Sequence, residues 1–195
     1  MSTLGAKSKS ALGFLTVVDH PQQGLFGGYL VLNVAGRPIE FHCTAPIRPN
    51  RAQEILYGPT LEPYLYGEQI GQTLLAKSRT KPLVVCTDCE AVLAVREHAD
   101  LPTVLVLQGT PAPATEGDGR LEPADTHPSQ RTWRLDAAHH LCQFELGPNR
   151  LAVPADCPDD RQRITDRLAG LEDRLDLCEP FERIREAIEE ARRGG

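Results

Sequence analysis

A chain of 195 residues with 41% apolar and 25% charged side chains suits one globular domain, or one domain with a small appendage. Its net charge of -6 argues against the broad basic face that grips nucleic acid and leaves room only for a local patch. No apolar run reaches the roughly 18 residues a membrane span needs, and Met1–Ser10 lacks the apolar core of a secretory signal.

Residues 1–10 read as a loose tail. Gly13–Asp19 is a short apolar run rich in β-formers and is predicted to be a buried strand. Leu25–Asn33 is a second strand, in which Gly27 and Gly28 suggest a bulge or a close backbone approach, the bulge being preferred. After a turn at Ala35–Pro38, Ile39–Thr44 alternates Ile39, Phe41 and Cys43 against Glu40, His42 and Thr44. These three segments form an expected antiparallel meander.

Asn50 is placed to cap a short helix, Arg51–Tyr57, and Thr60 a longer one, Leu61–Ser78, which admits Pro63 in its first turn. Glu54 falls opposite Ala52, Ile55 and Leu56, whereas Glu68 falls at the apolar edge near Leu61, Leu65 and Leu75. Leu83–Cys86 is a fourth strand, Cys89–His98 a helix and Pro102–Leu107 a fifth strand, parallel to the fourth through a right-handed crossover. Residues 11–108 are thus expected to form an α/β domain, with 109–131 a linker lacking periodicity. Residues 132–195 are read as a β-hairpin, Leu141–Leu146 with Arg150–Val153, followed by two amphipathic helices, Pro158–Arg174 and Pro180–Arg193.

The order β-β-β-α-β-α-β over the first 108 residues resembles the ribonuclease-H-like superfamily of nucleases and related folds. The resemblance implies a five-stranded mixed sheet in that order, with the C-terminal β-hairpin and αα-hairpin appended. It also implies an acidic residue on the first strand and another at the tip of the fourth, where Asp19 and Asp88 stand. A third acid comes from the first long helix. Glu54 matches better by distance along the chain and Glu68 by helical phase. A further ligand from the last helix would be Asp159 or Asp160. In such sites two Mg²⁺ or Mn²⁺ ions, hard cations that prefer carboxylate oxygen, sit roughly 4 Å apart and stabilise the attacking and leaving oxygens of a phosphodiester. Asp19 and Asp88 would be the metal ligands and nucleic acid the partner. The basic surround such a partner needs is limited to Lys77, Arg79 and Lys81.

Each candidate also has a purely structural reading. Thr87-Asp88-Cys89-Glu90 fits a capping box, Asp19 ends a strand before His20-Pro21, and Glu68 snorkels off an apolar edge. Cys86 and Cys89 form a Cys-x-x-Cys that is open to a redox, a zinc or a simple core-thiol reading. A metal role for His139-His140 competes with plain exposure. The alternative to a nuclease is therefore a non-catalytic interaction or scaffold protein, its C-terminal helices over residues 158–193 contacting a second copy or a partner. The six cysteines, spread over a chain with an adequate core, suit reduced thiols and a cytoplasmic location.

Overall fold

The computed structural model describes residues 10–107, 141–171 and 176–193. One mixed sheet runs through it in the order β3-β2-β1-β4-β5-β7-β6. The strands are β1 (Ala11–His20), β2 (Gly24–Asn33), β3 (Pro38–Cys43), β4 (Val85–Thr87), β5 (Thr103–Val106), β6 (Leu141–Leu146) and β7 (Asn149–Pro154). β1, β2 and β3 are the antiparallel meander, and β4 pairs in parallel with both β1 and β5. The β2–β3 turn is set by Asn33, whose Oδ1 accepts from the amides of Ala35 (2.9 Å) and Arg37 (3.0 Å), and by Gly36 at φ 73°.

The α/β class holds, but the sheet has seven strands rather than five. The β6–β7 hairpin joins it through antiparallel pairing of β7 with β5, Leu105 opposite Ala152 and Val106 opposite Leu151. Leu151, Ala152 and Val153 are all fully buried, so β7 is an interior strand covered on both faces. Without β7, the apolar β5 would be a bare sheet edge.

The helices divide between the two faces. On one lie α1 (Arg51–Tyr57), α2 (Leu61–Pro63), a π-helix over Tyr64–Gln72, α3 (Thr73–Lys77) and a 3-10 helix over Glu90–Glu97. On the other lie α4 (Pro158–Leu168) and α5 (Glu179–Arg193). The core between β1–β2 and the first group contains Leu15, Tyr29, Val31, Ile70 and Leu74; the core facing α4 and α5 contains Phe14, Leu30, Cys86, Ile164 and Phe181. Phe14 and Phe181 meet edge-on at 5.7 Å between ring centres. The apolar faces of the two C-terminal helices, with Ile164, Leu168, Phe181, Ile184 and Ile188 buried, are therefore spent on this sheet.

Gly27 and Gly28 make this sandwich close. A methyl group on Gly27 would lie 2.1 Å from Ile70 Cγ2, and one on Gly28 would lie 2.2 Å from Ile184 Cγ2. Successive strand residues point to opposite faces, so the pair admits one helix on each side. The β1–β2 register continues unbroken past both glycines, so the predicted bulge is absent and the close approach is what they serve.

Three helical expectations change in detail. The long helix after Thr60 is continuous but π-wound in its middle, where Gly67 and Gly71 press against Ala94 and Val95. The crossover segment is a 3-10 helix, and its N-cap is Cys89 without a side-chain cap bond. Thr87 instead makes a local turn, its Oγ1 accepting from the Cys89 amide (3.1 Å), so the predicted capping box does not form. Asn50 and Gln53 do form one on α1. α4 ends at Leu168, and Gly170 at φ 78° turns the chain away soon after.

Candidate functional site

The carboxyl ends of β1 and β4 are where the predicted acids lie, and they point to different sides of the sheet. β4 pairs Leu15 with Thr87. Continuing that register by one residue sets Thr16, which is buried, level with Asp88. Asp19 lies three residues farther along β1, about 10 Å at the ordinary strand rise. By the alternation of the strand, Asp19, which is exposed, falls on the face of Leu15 and Val17, whose side chains join the core beneath the first helical group. Asp88 shares the face of Cys86, in the core beneath α5. The structure does not bring the two carboxylates together.

Asp88 is held by Arg185 of α5, whose Nη2 donates to its Oδ2; the Asp88 side chain is only 4% exposed. Its other oxygen, Oδ1, is buried without a hydrogen-bond partner among the described residues. Arg185 also pairs with Glu182 at 2.9 Å, which links this buried carboxylate to the surface of α5. Charge-assisted contact of this kind makes Asp88 a tie between the β4 tip and the C-terminal helix.

The other predicted acids are dispersed. Glu54 pairs with Arg51 at 2.9 Å on the outside of α1, and Glu68 pairs with His98 at 3.4 Å. Asp159 is exposed. Asp160 is 1% exposed and takes two hydrogen bonds from Arg96, at 2.7 and 3.3 Å, and one from Arg163 at 3.1 Å. It clamps α4 to the 3-10 helix. His139 and His140 lie outside the described residues. Among the described residues no three His, Cys, Asp or Glu side chains converge on a point that could hold a metal ion. The predicted acids therefore do not fit a two-metal centre, which needs shared carboxylates between ions roughly 4 Å apart.

The two cysteines are also separated by the pleat. Cys86 packs in the α5-side core and Cys89 beside the opposite core. Burial pushes both thiols up to about 12, and the charge of Glu62 adds to the rise at Cys89. Both shifts run opposite to the lowered pKa that marks redox-active and metal-ligating cysteines.

A cluster that the sequence did not single out lies on the helical side of the same edge. Glu62 of α2 is raised by burial and then by the charge of Glu90. Tyr66 is raised by burial, and Cys89, Glu62 and Asp19 add to it. Asp19, Glu62, Tyr66, Cys89 and Glu90 thus share one electrostatic neighbourhood, and none of its three carboxylates has an ion-pair partner among the described residues. Glu62 and Tyr66 stand four residues apart on one helical face, the signal that could have found them.

No family model matches the chain, and no curated protein matches it. Among solved structures, the chain is similar to endonuclease V of Ciona intestinalis in complex with a 24mer DNA containing an inosine followed by a ribo-adenosine, at 13% identity and a TM-score of 0.45 over 93% of this chain and 87% of that one. A variant of the same enzyme with a 23mer DNA matches at 17% identity and a TM-score of 0.34 over 50% of this chain and 45% of that one, less than half its length.

Proposed function

We propose that this chain is a ribonuclease-H-like domain that works as a non-catalytic interaction protein, its β4 acid serving as a structural tie. The ribonuclease-H-like part of the reading rests on the order β3-β2-β1-β4-β5, with the first three strands antiparallel and the last two parallel to β1. One observation carries the non-catalytic part. Asp88 is buried against Arg185, across the sheet from Asp19 and level with the hydroxyl side chain of Thr16. The guanidinium compensates the buried charge of Asp88 through Oδ2, which ties β4 to α5. The C-terminal helices do not supply the contact surface through their apolar faces, because those are buried within the chain. The same reading expects a cytoplasmic protein with reduced thiols; all six cysteines are free. Among the described residues no helix is long and apolar enough to cross a membrane.

A second reading keeps the nuclease and moves it to the helical side of the edge. Its support is that Glu62 is raised by burial and then by the charge of Glu90, and that Glu62 and Asp19 both act on the buried Tyr66, an accumulation of negative charge that a cation would relieve. Asp19 and Glu62 would then hold Mg²⁺ or Mn²⁺. When bound, the ion would supply charge stabilisation to a phosphodiester oxygen. Tyr66, protonated, would stand beside it as a hydrogen-bond donor.

One assay separates the two. DNA and RNA, single- and double-stranded, are incubated with the chain and Mg²⁺ or Mn²⁺, then with Asp19→Asn, Glu62→Gln and Asp88→Asn. The first reading expects no metal-dependent cleavage by any of them. Cleavage that Asp19→Asn and Glu62→Gln abolish and Asp88→Asn spares would establish the second reading. Cleavage abolished by both Asp19→Asn and Asp88→Asn would restore the two-metal pair and overturn the first.

A further inference from the structure

β3 closes one end of the sheet, and among the described residues no strand pairs with its outer edge. A free edge of this kind is a template for another strand unless charge or a covering element guards it. On one face β3 carries no charged side chain, and its guards are Pro38 and the register shift beside it. Phe41 and Cys43 alternate onto that face, and Ile39, the extra residue where the β2–β3 register shifts, is exposed beside them, Ile39 at 40% and Phe41 at 39%. Because Phe41 pairs with Leu30, this is the α5 side of the sheet.

The opposite face of the same strand is organised by charge. Glu40 accepts from Ser78 Oγ (3.2 Å), the Arg79 amide (3.0 Å), Thr80 Oγ1 and His42 Nε2 (3.1 Å). This latch fixes the loop after α3 against β3. The loop carries exposed Arg79 and Lys81, exposed Lys77 ends α3 just before it, and exposed Arg37 stands at the mouth of the strand. None of these four cations is in an ion pair among the described residues. In a chain of net charge -6, a basic border beside an open apolar edge is a marked segregation.

We infer that the outer edge of β3 receives an extended peptide segment in which apolar and acidic residues alternate. An added strand sends successive side chains to opposite faces. Its apolar residues would cover Ile39 and Phe41, and its carboxylates would reach Arg79 and its neighbours. Nucleic acid fits less well, since one face of the edge is apolar and Phe41 is the one aromatic side chain on the strand. A second copy also fits less well. Antiparallel pairing of two β3 strands about a two-fold axis would put both basic loops on the same face of the joined sheet, where they repel.

The inference does not depend on whether the Asp19 edge is catalytic. Its test is run on the full chain with a fluorescent peptide of alternating valine and glutamate, against an alternating valine–lysine peptide and a single-stranded oligonucleotide. The valine–glutamate peptide is expected to bind and to slow amide exchange across Ile39–Cys43. Arg79→Glu with Lys81→Glu, both exposed and remote from the core, should weaken binding about tenfold or more, equivalent to about 1.4 kcal/mol. Phe41→Asn should weaken it independently. Four results would each overturn the inference: no binding, equal binding of the lysine peptide, binding with β3 exchange unchanged, or β3 protection that rises with protein concentration alone. Oligonucleotide binding lost in the charge-reversed variant, with the peptide failing to bind, would assign the edge to nucleic acid instead.

Discussion

The two faces of the sheet use carboxylates in opposite ways. Under α4 and α5, Asp88 and Asp160 are nearly sealed from solvent and each is met by arginine. Under the first helical group, Asp19, Glu62 and Glu90 share a neighbourhood with no arginine among its ion pairs. The first arrangement ties elements together, and the second leaves acid groups that a cation or a proton could satisfy. A buried acid at a strand tip is therefore not by itself a sign of catalysis; what faces it decides its role.

The contrast can be broken first at Asp160. Asp160→Ala removes three charge-assisted hydrogen bonds from Arg96 and Arg163, and at about 1.5–3 kcal/mol for a bond to a charged group the loss is about 3 kcal/mol or more. A denaturant titration is expected to show a loss of that size, the largest of the series. Asp19→Ala, on the other face, is expected to cost little, as an exposed side chain away from the core does.

The next test is steric and treats the faces equally. Gly27→Ala and Gly28→Ala each drive a methyl group into one helix layer, onto Ile70 and Ile184 respectively. Each should cost about 1–3 kcal/mol, the usual range for overpacking. A much smaller loss at Gly28 than at Gly27 would mean that α5 sits more loosely than the first helical group.

The smallest effects lie in the pH dependence. Glu40 is held down to about 2, first by Thr80 and then by His42, so it contributes stability above its ordinary value of 4.5 that is lost as pH falls toward 2. Glu62 has the opposite sign. Burial and Glu90 raise it, so the folded state holds the proton more tightly and stability declines as pH rises from 4.5 through the raised value. Thermal melts across acid pH should therefore show Glu40→Gln removing an acid-side loss and Glu62→Gln removing a decline on the rising side.

Much of the fold was legible in local pattern. The apolar runs at Gly13–Asp19 and Leu25–Asn33, the turn at Ala35–Pro38 and the periodicity of α5 fall where the sequence puts them. The hairpin at Leu141–Pro154 was visible as a hairpin but not as sheet strands, because its pairing with β5 is across a long stretch of chain and leaves no local mark. The acids were harder to read. Asp19 and Asp88 are each at the end of a strand, as expected, but a parallel register and the parity of the pleat decide which face each takes, and a shift of one residue exchanges the faces. Arg185 stands nearly a hundred positions from Asp88 (|i−j| of 97), so nothing near either residue announces the pair. Glu62 sits beside Pro63 at the start of a helix, where an acid already has a reason to be, so its position alone carries no sign of a site.

The most direct measurement is a double-mutant cycle on Asp88 and Arg185, with Asp88→Asn, Arg185→Met and the pair compared by denaturant unfolding with and without Mn²⁺. A structural tie should show a coupling of about 1–3 kcal/mol that Mn²⁺ leaves unchanged, with Arg185→Met alone costing more than Asp88→Asn because it strands the buried charge. A coupling below about 0.5 kcal/mol, together with a Mn²⁺-dependent stabilisation that Asp88→Asn abolishes, would contradict it and return Asp88 to the metal.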